Sequence, residues 1–208
     1  SSLLVADRGF DGLAVCLGDE FAEVGEPAAV DGELRIVAGS AVALPRLARR
    51  SVALGLAGLE WMVGVPGTVG GGVRMNAGGH GADMTESLVS VTIADVAEDR
   101  IVTTAPDALG LRFRGSALQP TDIVLDATFA VRSGDVATGE ALLSDIVRWR
   151  RDNQPGGQNA GSVFVNPGDG AESAGRLIDE AGLKGLRHRS AQISTKHANF
   201  IQADEGGS

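Results

Sequence analysis

GLAGLEWMVGVPGTVGGGVRMNAGGHG, residues 55–81, holds ten of the chain's thirty glycines in twenty-seven positions. Glycine at this density does not build a core; it supplies positive φ and lets another backbone or a ligand come close, at an entropic cost an ordinary connection has no reason to carry. Pro66-Gly67-Thr68 reads as a turn. The run Val69-Gly70-Gly71-Gly72 carries amide N–H groups with few competing side chains, a composition able to form a concave anion cradle. Asn76 follows with an amide that both donates and accepts, which suits a pyrimidine-like ring edge or a backbone carbonyl. A glycine-rich surface turn with a structural Asn uses the same residue types, and this pattern alone does not separate the two.

Outward from that stretch, Ala43 to Leu54 predicts a helix: Pro45 suits its first turn, Leu44, Leu47, Ala48 and Val52 share one face, and Gly55 stops it. LRIVAG, from Leu34, reads as a strand, and VSVTIADV with RIVTTA as a hairpin turning at Glu98-Asp99. DIVLDATFAV alternates, with Ile123, Leu125, Ala127, Phe129 and Val131 on one face. Ser133 to Gly139 marks a boundary, because helical patterning follows. Glu140 to Arg151 predicts a helix with Leu142, Leu143, Ile146, Val147 and Trp149 as its apolar positions; Ser173 to Ala181 predicts another, stopped by Gly182. AQIST and NFIQ read as short strands. The single Cys16 lies in the apolar run GLAVCL and reads as a buried strand thiol, consistent with a reducing compartment.

The chain is 208 residues long with 43% apolar residues, enough for one large or two small cores. A net charge of −9 argues against general nucleic-acid binding. Residues 1–136 carry 10 basic and 18 acidic side chains, and residues 137–208 carry 8 and 9, so the last third is the relatively basic part. No apolar run approaches the ~20 residues that span a bilayer. Three His and one Cys without ligand spacing give no metal-site signal.

GLEWMVGVPGTVGGGVRMNAG resembles the flavin-binding segment of the UDP-N-acetylenolpyruvoylglucosamine reductase family. The resemblance continues through LRFRGSALQP, QNAGSVFVNPG and STKHANF and covers nearly all of the chain. It implies an α+β fold: an FAD-binding domain of the vanillyl-alcohol-oxidase type over residues 1–132, then a small α/β substrate-binding domain over 133–208. Pro66, Gly67, Thr68, Gly70, Gly71, Asn76, Gly78 and Gly81 would hold FAD, with NADPH as co-substrate. Arg114 takes the place of a family Arg that stabilises charge on the substrate carboxylate, and a guanidinium binds a carboxylate through two parallel N–H bonds. Ser162 takes the place of the family's proton donor. A hydroxyl is a weak acid that protonates only a strongly basic carbon formed beside it, which fits an enolate. Asn166 matches a residue near the nucleotide part of the substrate.

Each of these has a plainer reading. Ser162 is a turn residue after Gly161, with no GxSxG elbow around it; Arg114 is a surface side chain in a loop; Asn166 starts an Asn-Pro turn. His197 is read as a hydrogen-bonded structural His rather than a catalytic one. His80 stands where the family has an aromatic residue and is expected to stack near the flavin. Departures also exist: Val165 replaces a basic residue, and Phe113 replaces a common Tyr in a chain with no Tyr at all.

The implied activity is reduction of UDP-N-acetylglucosamine enolpyruvate to UDP-N-acetylmuramate in peptidoglycan biosynthesis. The implied protein is a cytoplasmic monomer that meets a small-molecule UDP-sugar enolpyruvyl ether, with no nucleic acid, membrane or metal partner. Two alternatives stand beside it: another FAD-linked oxidoreductase of the same fold, and a non-catalytic UDP-sugar-binding remnant. The joint presence of Arg114 and GSVFVNP argues against the first. The resemblance further implies more chain on both sides. Ser1 and Ser2 would be the remnant of a glycine-rich turn, and a strand with a catalytic Glu would follow Ser208, since Glu205 sits in a different motif.

Overall fold

Alternating Ile36 and Ala38 bury one face of residues 33–39, and that segment pairs antiparallel with a long strand on one side and a short one on the other. The computed structural model describes residues 5–168 and 172–206, so the expectation about Ser1 and Ser2 lies outside the described residues. The chain divides into two compact units, residues 13–147 and residues 148–206, the latter taking in residues 5–12.

The first unit runs β1 (Ala28–Val30), β2 (Glu33–Gly39), α1 (Leu44–Ala53), β3 (Leu56–Ala57), α2 (Val69–Arg74), β4 (Gly78–Gly79), β5 (Ala82–Asp83), β6 (Leu88–Asp95), β7 (Arg100–Thr104) and β8 (Asp122–Ser133), and ends within α3 (Val136–Asn153), whose residues from Arg148 on belong to the second unit. The main sheet has the order β1-β2-β8-β6-β7, with β3 pairing the end of β8. Its core joins Ile36, Phe129 and Val91 of the sheet to Leu44, Leu47 and Val52 of α1 and Val69 and Val73 of α2. The helix expected before Gly55 forms with its apolar stripe buried, and Gly55 takes φ +70° after it.

Five sequence expectations are corrected here. In β8 the buried residues are Val124, Ala127 and Phe129 rather than an unbroken odd-numbered series. The cause is a bulge: Thr92 faces Asp126 but Ile93 faces Val124, so Leu125 has no partner in β6 and the strand's parity flips there. The helix α3 begins at Val136, because Asp135 caps it by accepting from the Thr138 N–H at 2.8 Å and its hydroxyl at 2.7 Å. Those two bonds hold the Asp135 carboxyl below its usual range. Only Gly139, Leu143 and Ile146 of α3 are buried; Leu142, Val147 and Trp149 are exposed. Gly139, read as a boundary glycine, is a packing contact: a Cβ there would stand 2.7 Å from Val52 Cγ1. Finally, the run around Cys16 forms no strand and leaves Leu13, Val15 and Cys16 exposed, since none of the described strands pairs with it.

The second unit contains β9 (Gln158–Ser162), α4 (Ala174–Glu180), β10 (Arg187–His188), β11 (Ala191–Ile193) and β12 (Phe200–Ala203), with the sheet order β10-β11-β12-β9. Ser173 caps α4 by accepting from the Arg176 N–H, and Gly182 follows at φ +70°. Among the described residues no helix is long and apolar enough to cross a membrane.

Two adjacent glycines of α2 respond oppositely to a methyl group. A Cβ on Gly70 would lie 2.9 Å from Ser40 Cβ, whereas one on Gly71 meets nothing closer than Thr68 Oγ1 at 3.7 Å. In thermal and urea unfolding, G70A is expected to lose about 1 kcal/mol net, overpacking outweighing the helix propensity gained, and G71A to gain about 0.4–1 kcal/mol.

Candidate active site

The glycine-rich stretch folds as a turn and a short helix packed on the end of β2. Gly67 takes φ +115° and its carbonyl accepts from Leu44 N–H at 3.0 Å, which ties the turn to the start of α1. Thr68 caps α2. The anion cradle expected of the next four amides is not present. Val69 N–H donates to Val42 O at 2.8 Å, Gly70 to Ser40 O at 2.9 Å, Gly71 to Thr68 Oγ1 at 3.5 Å and Gly72 to Thr68 O at 2.8 Å. The Ser40 and Val42 carbonyls come from the turn after β2, which the local sequence does not show. Gly70 and Gly72 serve close packing instead, against Ser40 and Met84.

Past α2 the chain makes a tight hairpin, β4 and β5, whose two-residue loop His80-Gly81 has positive φ at both positions, +56° and +85°. That is the loop class whose twist suits paired strands. Gly78 is obligatory within it, because a Cβ would stand 2.8 Å from Ala82 O. The His80 ring lies against Gly64, where a Cβ would stand 2.7 Å from the imidazole.

This hairpin forms one wall of a depression of about 350 Å³; Phe113 and Arg114 form part of the opposite one. Asn76, Gly78, Gly81 and Arg114 are therefore brought together around one cavity. Asn76 is 8% exposed with φ +41°, its Nδ2 donates to Asp83 Oδ2 at 3.2 Å, and its Oδ1 has no partner among the described residues. The other Asp83 oxygen accepts from the N–H of Thr85 and also from its hydroxyl. Arg114 sits in the turn closed by Arg112 N–H to Gly115 O at 3.0 Å and Gly115 N–H to Arg112 O at 3.1 Å, and its own φ is +60°. Its guanidinium lies 5.7 Å from the centre of the Phe113 ring and has no carboxylate partner among the described residues. Ser40, packed on Gly70, keeps a second buried and unpartnered oxygen, Oγ.

A lining in which Gly78, Gly79 and Gly81 present bare backbone, a buried amide oxygen without a donor and an unpaired guanidinium suit a flat heteroaromatic ring with an acidic substrate beside it, while Asp83 and Glu86 add carboxylates to the same lining. The residues present fit a flavin on that basis. Pro66, Gly67, Thr68, Gly70 and Gly71 stand at the start of α2, outside this depression. A second depression of about 410 Å³ lies beside the β6–β7 hairpin; of the acidic residues lining it, Asp95 pairs with Arg100 at 3.0 Å and Asp122 accepts from the Gln119 N–H, and Glu98 is the third. Among the described residues there is no group of three metal-ligating side chains.

In the second unit Ser162 ends β9, opposite Phe200. This corrects the loop expected there. Gly161 takes φ +78° and Ser162 is exposed. Asn166 Oδ1 accepts from Ala174 N–H at 3.0 Å, so its side chain helps start α4. His197 stands edge-on to Phe200 with ring centres 4.7 Å apart, and its Nδ1 accepts from Asn199 N–H at 3.2 Å. Burial pushes the His197 pKa down, and the Lys184 charge adds to this. Asn199, which sequence reasoning passed over, is 4% exposed and bonds the backbone of Phe164 through both side-chain atoms. The only advance signal was a polar residue between Ala198 and Phe200.

The fold defines a class first: residues 1–105 match the family model described as FAD binding domain. Residues 153–208 match the model for the C-terminal domain of UDP-N-acetylenolpyruvoylglucosamine reductase. Curated relatives of that name include proteins from Symbiobacterium thermophilum, 42% identical, and a Synechococcus strain, 41% identical, each over 97% of this chain and 63% and 65% of their own. The crystal structure of the Thermus caldophilus reductase superposes with a TM-score of 0.73 at 36% identity, over 80% of this chain and 61% of that one. The chain belongs to the UDP-N-acetylenolpyruvoylglucosamine reductase family and spans a little under two thirds of the length of these curated relatives.

Two outcomes follow from this geometry. R114G removes the guanidinium and also a side chain held at φ +60°, so melting is expected to show stability unchanged or raised by up to about 1 kcal/mol. For His197, an imidazole harder to protonate folded than unfolded contributes stability that is complete above the unfolded value of about 6.5 and is lost as pH falls through the lower folded value. Unfolding free energies measured between pH 8 and pH 5, on the scale of those reference values, should therefore fall, and H197Q should flatten the slope.

Proposed function

We propose that this chain is the FAD- and substrate-binding part of a reductase that converts UDP-N-acetylglucosamine enolpyruvate to UDP-N-acetylmuramate with NADPH, in bacterial peptidoglycan synthesis. The observation that carries this reading is Arg114, held in a strained turn without a carboxylate partner and facing the Asn76–Gly81 wall of a single depression on an FAD-binding fold. Bound FAD would supply the hydride relay from NADPH to the methylene carbon of the enolpyruvyl group. Gly78, Gly81 and Asn76 would line its ring, with Pro66, Gly67, Thr68, Gly70 and Gly71 supporting it from α2. Arg114 would bind the substrate carboxylate and neutralise the charge that grows there as the enolate forms. Ser162 would give its hydroxyl proton to the α-carbon, which balances the hydride added to the methylene carbon. Asn166 would lie near the nucleotide, through whatever its amide nitrogen leaves free once its oxygen accepts from Ala174.

In this reading residues 1–132 form the cofactor part and 133–208 the substrate part, and the protein works as a cytoplasmic monomer. The sequence likeness over 97% of the chain supports the assignment. The purified chain is expected to be yellow and to be bleached by NADPH under anaerobic conditions, then to regain colour on adding the enolpyruvyl substrate. S162A should leave the bleaching intact and slow the return of colour by about 10²–10⁴-fold. A colourless protein that binds UDP-sugars, or oxygen consumption with unrelated alcohols, would overturn the reading.

A further inference from the structure

The backbone that carries Ser162 lacks the usual means of being held. Val163 and Phe164, the two residues after it, are exposed at 38% and 56%, so no buried side chain anchors them. The ladder with β12 also breaks here, where the register shifts between Phe200 and Gln202. What replaces both is one side chain. The amide of Asn199 accepts from Phe164 N–H at 2.9 Å and donates to Phe164 O at 2.8 Å, as a neighbouring strand would. Its backbone oxygen accepts from Val163 N–H at 2.9 Å. Asn199 is itself 4% exposed, so an atom of its amide left unpaired would cost about 1–3 kcal/mol.

Asn199 is itself fixed from behind. Its N–H donates to His197 Nδ1, and the His197 ring rests on Phe200. Gly175 of α4 leaves the room: a Cβ there would stand 3.3 Å from His197 Cε1 and 3.6 Å from Asn199 Cβ. Ser194 Oγ accepts from the N–H groups of Lys196 and His197, which holds the turn before it. The path from α4 to Ser162 is thus continuous within this unit.

We propose that Asn199 is a positioning residue for Ser162: its side-chain amide serves as the missing ladder partner of Phe164, next to the backbone bond that holds Val163, and so sets where the Ser162 hydroxyl is presented. This rests on the reading of Ser162 as the proton donor.

The test uses the whole chain with FAD, in three forms: unaltered, N199A and N199D. N199D keeps an acceptor for Phe164 N–H but loses the donor to Phe164 O. In N199A the Phe164 amide should exchange with deuterium at least about tenfold faster, while Ile193 and Ser194, bonded elsewhere in the sheet, stay within about threefold. Flavin re-oxidation by the enolpyruvyl substrate should slow by about tenfold or more at unchanged KM, with reduction by NADPH unaffected. N199D should fall between the two. Unchanged exchange at Phe164, a rise shared by the whole sheet, or re-oxidation within about twofold of the unaltered chain would each overturn the proposal. An unaltered chain that is reduced but never re-oxidised is a different result: it removes the proton-donor reading, and the proposal falls with it.

Discussion

The first unit depends on how closely α2 approaches the turn that ends β2. Val69 and Gly70 donate their N–H groups to Val42 and Ser40 carbonyls, and Gly70 reaches Ser40 only because it has no side chain. The same closeness recurs two residues on, where a Cβ at Gly72 would meet Met84 Cε. Helix amides at N1 and N2 ordinarily lack partners within the helix. Here those orphan donors become the bonds that join helix to sheet. Everything downstream takes its position from that junction: Asn76 just past α2, the β4–β5 hairpin after it, and the cavity the hairpin walls.

Local signals were legible in the sequence because local chemistry decides them. Leu44, Leu47, Ala48 and Val52 repeat at helical spacing and are buried as that spacing requires. The β6–β7 hairpin turns where Glu98 and Asp99 suggest it, with Asp99 at φ +48°. What was not legible depends on partners distant in the chain. Leu125 looks like any strand residue, and only its bulge against β6 shows that parity breaks there. The amides of residues 69–72 looked free because Ser40 and Val42, which engage two of them, lie almost thirty positions earlier. Cys16 looked buried because an apolar run implies a neighbour, and none of the described strands is one. For the site, Arg114, Asn76, Gly78 and Gly81 were marked by type and resemblance, but their shared cavity needed the fold.

The two units order their functional segments by opposite means. In the first, side chains are absent where the backbone must come close, and position follows from what glycine permits. In the second, a buried side chain takes the part of backbone, and position follows from what Asn199 supplies. The first means tolerates no added volume, whereas the second tolerates no loss of a donor or acceptor.

Backbone strain marks the same places. Six residues other than glycine hold positive φ among those described: Asp31, Asn76, His80, Asp99, Arg114 and Arg189. Asp31 and Asp99 sit in hairpin loops beside paired strands, where Asp tolerates that conformation. Asn76 and Arg114 line the depression, and His80 stands between two glycines that do. Arg gains nothing locally from φ +60°, and Gly or Asn would make the Arg112–Gly115 turn with less strain. The turn is instead held by two backbone bonds and keeps a long charged side chain at a cavity wall. Arg189 at φ +51° shows that strain by itself marks no site; what sets Arg114 apart is that its strained turn lies at a cavity, which is the arrangement the proposed carboxylate-binding role would require.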